Sequence, residues 1–73
     1  RSHAEYVAGN SLIEMIKENL VAERIAIDSY RQMIQYLDHQ DPTTSRMLKE
    51  ILAVEEEHAD ELSDFLGDLP ALA

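Results

Sequence analysis

Apolar side chains recur along the first half of the chain at alternating steps of three and four. The series is Ile13, Ile16, Leu20, Glu23, Ile27, Tyr30, Ile34 and Leu37, and only Glu23 breaks it. A second series runs Thr44, Leu48, Ile51, Glu55, His58, Leu62 and Phe65, with Glu55 and His58 as its titratable members. Met15, Ala26, Met33, Met47, Leu52 and Ala59 widen the two stripes. A 3.5-residue repeat of this kind is the seam of helices packed in a bundle.

Local signals place the ends of the two helices. Gly9-Asn10 reads as a breaker, and Ser11-Leu12-Ile13-Glu14 has the form of a capping box. No Gly or Pro follows until His39-Gln40-Asp41-Pro42, where Asp41 suits an N-cap and Pro42 the first helical position. Gly67 is placed to end the second helix, and Pro70 bars its continuation. The pattern therefore predicts helices over about 12–39 and 42–66, inside a unit spanning 11–66, with 1–10 as an N-terminal segment and 67–73 as a tail. The short turn makes the helices antiparallel neighbours, so the fold class is all-α. One such hairpin is half of a four-helix bundle and leaves an apolar face open. A second hairpin would cover it, supplied by an identical chain in a homodimer or by a preceding half of a longer chain.

Composition narrows the function classes. The 73 residues carry a net charge of −9, which disfavours nucleic acid and anionic membrane surfaces as partners. No apolar run reaches the roughly 18 residues of a membrane span, and no signal-peptide pattern opens the chain. The absence of cysteine removes disulfides and thiolate metal sites, and fits a cytoplasmic protein. A chain this short has a marginal core and gains most from a partner surface or a metal held by nitrogen and oxygen. A start at Arg1 suggests a fragment or a processed product.

The three titratable seam residues are the candidate chemistry. Alone, a seam Glu pairs with an Arg or frays to solvent, a seam His is a satisfied core residue, and Glu55-Glu56-Glu57 is a solvated face. Together they lie at one height. Counted from the turn near residue 40, Glu23 lies as far back along the first helix as a point between Glu55 and His58 lies forward along the second. At about 1.5 Å per residue their levels differ by only a few ångström. Glu55 and His58 share a helix face at i, i+3. Two carboxylates and an imidazole converging where hydrophobes belong need compensation, and a hard or borderline divalent metal supplies it. An identical second hairpin would bring the set to four Glu and two His. Glu56 and Glu57 fall off the seam, and His3 and His39 lie in flanking or turn regions as surface histidines.

The strings Leu20-Val-Ala-Glu23-Arg-Ile-Ala-Ile-Asp-Ser-Tyr30 and Ile51-Leu-Ala-Val-Glu55-Glu-Glu-His58-Ala-Asp-Glu-Leu62 resemble the last two core helices of bacterioferritin and its ferritin-like relatives. The signature of that class is a Glu from each of two helices and a Glu-x-x-His from each of the other two, of which this chain carries one of each. The resemblance implies that Glu55 bridges two irons, with Glu23 and His58 as terminal ligands. It implies that Asn19 is a polar partner behind the ligands and that Tyr30 either hydrogen-bonds a ligand carboxylate or fills the core. Residues 1–10 would be the remnant of a crossover. The family's first helix pair is missing, and so is the region of the haem-ligating Met. Met15, Met33 and Met47 read as core fillers, so no haem is expected.

The function implied is iron binding and storage with ferroxidase chemistry, Fe(II) being oxidised by dioxygen or peroxide at a di-iron site. Other di-metal oxidoreductases, a peroxide reductase or a catalase, share the scaffold. A non-catalytic, self-associating fragment is a third option, and a Dps-like role is disfavoured by the charge.

Overall fold

The computed structural model describes residues 3–69, with side chains from residue 9 onward. Helix α1 spans His3–Leu37 and helix α2 spans Pro42–Asp68. They pack antiparallel as one hairpin, 57 Å long and 17 by 15 Å in section. Fold class and element order agree with the sequence pattern.

Two boundaries differ from expectation. Helix α1 begins at His3, not near residue 12, so Ser11 caps nothing and Gly9-Asn10 lies inside the helix. A single mid-helix glycine costs about 1 kcal/mol relative to alanine, and that does not break a helix held on both sides by good formers. At the other end, α2 runs through Gly67, which shows no positive φ, and stops at Asp68. The stop belongs to Leu69, whose backbone is extended at φ −67, ψ 137. Leu69 precedes Pro70, and the residue before a proline is driven out of the helical region.

The hairpin core is Leu20 and Ile27 on α1 against Ala59 on α2, with Leu52, Leu62 and Leu66 packed around them and Ile34 buried toward the turn. The α1 stripe matches the expected seam, since Ile13, Ile16, Glu23, Tyr30 and Leu37 are all half-buried. The α2 stripe is rotated by one position. Ser45, Leu48, Leu52, Glu55, Ala59, Leu62 and Leu66 face α1, whereas Ile51, His58 and Phe65 stay exposed. Three-four alternation fits both series, and the structure selects the one with small residues at the contact, Ser45 and Ala59. Met15, Met33 and Met47 are exposed, so within the hairpin they fill no core.

The turn is closed by polar groups. The Asp41 carboxylate accepts from the Thr44 backbone N–H at 3.1 Å and from the Thr44 hydroxyl, with Pro42 at the head of the helix as expected. Asp38 accepts from the fully buried Ser45 hydroxyl at 3.0 Å and from Lys49 Nζ at 2.9 Å. These bonds hold both carboxyls below the usual aspartate range, Asp38 chiefly through Lys49 and Asp41 chiefly through Thr44. A carboxyl that binds its proton less tightly when folded stabilises the fold above its unfolded pKa, about 3.9, and loses that contribution as pH falls through the lower folded value. Asp41→Ala should therefore lower the melting temperature by several degrees at pH 7, and by much less at pH 2. Asp41→Asn, which keeps an acceptor for the Thr44 N–H, should lose less. Thermal denaturation followed by circular dichroism at the two pH values checks this.

Candidate metal centre

Helix α1 carries Glu23 in the middle of its packed stripe. Helix α2 carries Glu55 on the contact face and His58 one turn later at its open edge. Glu23, Glu55 and His58 each bring a ligand atom to within 4.8 Å of the others. The two carboxylates are half-buried and the imidazole is exposed. Among the described residues this is the one group of three or more such side chains close enough to share a metal ion.

The electrostatics of the group are unfavourable without a cation. Glu23 Oε2 is buried and has no hydrogen-bond partner. The Glu23 carboxyl is raised above its ordinary range, first by the adjacent Glu55 carboxyl, with which it can share a proton, then by burial and by the like charge of Glu55, with His58 opposing. A neighbouring carboxylate that disfavours the charged form is a repulsion that a divalent ion relieves. The donor set, two carboxylate groups and one imidazole, suits Fe(II), which accepts hard oxygen together with nitrogen ligands. The orphaned Oε2 and the 4.8 Å grouping thus fit a metal.

The centre opens into a recess of about 610 Å³ on one side of the hairpin, lined by Ile16, Asn19, Glu23, His58, Glu61, Leu62 and Phe65. Asn19 is in this wall, beside the ligands, whereas Tyr30 is half-buried two turns along α1 and does not line it. Glu61 was not singled out by the sequence reading. Its signal was there: it lies at i+3 from His58, and so follows His58 round to the open edge. Glu56 leaves the centre on the opposite side, where its carboxylate pairs with Arg31 at 2.9 Å. Glu57 and His39 are exposed, and the His3 side chain lies outside those described.

No helix among the described residues is long and apolar enough to cross a membrane. No curated protein matches the chain. A family model does, over residues 1–72, and its description is Ferritin-like domain.

Proposed function

Because the chain belongs to the ferritin-like domain family, we propose that it binds Fe(II) through Glu23, Glu55 and His58 and supports oxidation of that iron for storage. The observation that carries this reading is the buried, unpartnered Glu23 Oε2 within reach of Glu55 and His58. Iron is substrate and cargo here: each Fe(II) gives up one electron, and dioxygen or peroxide accepts it. The chain's part is binding and charge balance. Glu23 and Glu55 set two like charges side by side, and the ion relieves their repulsion. Glu55 would be the carboxylate that serves two ions, as the ferritin-like signature implies. His58 contributes a neutral nitrogen from the rim, where iron enters from solvent. Asn19 is placed to orient a ligand from the recess wall.

Anaerobic Fe(II) titration with metal counted per chain tests the reading. The expected result is about one tightly held ion per chain, lost in Glu55→Ala and in His58→Ala, followed by oxidation when air is admitted. Absence of tight binding, or binding that survives both substitutions, overturns it. Tight binding without oxidation would assign the site to metal holding alone.

A further inference from the structure

The hairpin exposes 5684 Å². A compact monomer of 8.3 kDa exposes about 4,600 Å², so roughly 1,100 Å² is in excess. A stable two-partner interface takes about 800 Å² from each side. Much of the exposed area is apolar: Met15, Met33, Met47, Ile51, Val54 and Phe65 are all exposed.

The spacing of four of these residues about the metal centre is self-complementary. Glu55 is the central residue of α2, equidistant from Pro42 and Asp68. Phe65 stands at i+10 from Glu55, away from the turn, and Met33 stands at i+10 from Glu23, toward it. Met47 stands at i−8 from Glu55, toward the turn, and Met15 stands at i−8 from Glu23, away from it. At 3.6 residues per turn, ten steps forward and eight steps back both land about 80° round the helix from the Glu, in the same sense. All four residues therefore sit on the side of the hairpin where His58 and the recess open.

We propose that a second copy of this chain covers this face, related by a two-fold axis perpendicular to the helices at the level of Glu23 and Glu55. The inference rests on the iron-site reading above for its charge balance. The axis lays α1 of one copy antiparallel on α1 of the other, and α2 on α2, so Met33 of each copy stands opposite Met15 of the other and Phe65 opposite Met47, with the two turns at opposite ends of the bundle. It also brings a second Glu23, Glu55 and His58 to the same centre. Four carboxylates then balance two divalent ions, where the lone hairpin offers two carboxylates to whatever it binds. A self-complementary patch of this kind is the requirement for an isologous dimer.

The chain has no cysteine, so a disulfide reports the geometry directly. Met15→Cys combined with Met33→Cys cannot close within one hairpin. The two positions lie 18 residues apart on α1, about 27 Å, against the roughly 7 Å a disulfide spans between Cα atoms. Sedimentation equilibrium of the wild-type chain, metal-free and with one equivalent of Zn(II), should give twice the chain mass of 8.3 kDa in at least one condition. Mild oxidation of the double variant should convert most of it to a covalent dimer. A monomer in both conditions overturns the proposal, and so does a dimer of the native mass that does not crosslink while the variant keeps its helical circular dichroism. The two readings fail separately. A crosslinking dimer that binds no Fe(II) keeps the two-fold assembly and removes the iron chemistry, and a monomer that binds Fe(II) does the reverse.

Discussion

Replacing Glu23 by leucine is expected to raise the melting temperature of the metal-free protein and to weaken Fe(II) binding by about 100-fold or more. The two effects have one cause. Glu23 occupies a position in the α1 stripe where every neighbour in the series is apolar or aromatic, and its Oε2 is buried without a partner. Breaking even an indirect support of a metal ligand commonly costs about 10–100-fold in affinity, so loss of a ligand should cost at least that. Without metal, the carboxylate only strains the fold, because an apolar residue of similar size removes the desolvation and the repulsion from Glu55. The pH dependence follows in sign. Glu23 holds its proton more tightly folded than unfolded, so the native state binds more protons between the ordinary glutamate value, about 4.3, and the raised one. Metal-free stability should therefore fall as pH rises through that window, and Glu23→Leu should remove the fall. Thermal melts of both proteins between pH 4 and 8, with and without Fe(II) under anaerobic conditions, check this. A metal-free wild type that is the more stable of the two at neutral pH would show that Glu23 serves the fold rather than the ion.

The hairpin and its chemistry were legible for different reasons. The turn was readable because Asp41 and Pro42 act through their own backbone and the residues just after them, and Thr44 is where such a cap must donate from. Glu23, Glu55 and His58 were readable as exceptions, since only three titratable groups interrupted two apolar stripes, and an antiparallel turn fixes their heights. The rotation of the α2 stripe was not readable. Ile51, His58 and Phe65 fit a three-four alternation as well as Leu52, Ala59 and Leu66 do, and the choice depends on how closely two backbones approach, which Ser45 and Ala59 settle in space. Both series carry apolar side chains: Leu52, Ala59 and Leu66 pack on α1, whereas Ile51 and Phe65 stay exposed. The Ser45–Asp38–Lys49 latch was hidden for a related reason. A serine and an aspartate on opposite sides of a turn carry no periodic signal until the hairpin closes. The start of α1 went astray because Ser11-x-x-Glu14 satisfies a capping rule that the preceding residues, themselves helical, never needed.

The largest loss of stability from a single change in the core is expected at Ile27, where substitution by alanine should cost about 2–5 kcal/mol. Ile27 is 7% exposed and packs with Leu20 and Ala59 in the only fully buried cluster among the described residues. Two helices enclose a core one layer thick, and the cavity left at that level has no third helix of the same hairpin to collapse into it. A chain of 73 residues has a total stability of about 4–11 kcal/mol, so this one side chain accounts for a large part of it. Nearby polar contacts cannot compete. The Arg31–Glu56 pair spans the same two helices at 2.9 Å, but both side chains are about half exposed, and exposed pairs contribute about 0–1 kcal/mol. Arg31→Ala should therefore change the denaturation free energy by less than Ile27→Ala by a factor of several. Urea titrations of the two variants at equal protein concentration decide between burial and ion pairing as the hold between α1 and α2. If Arg31→Ala proved the more damaging, the hairpin would be held by its charged edge, and the apolar face left open on its other side would no longer follow from the same packing that builds its core.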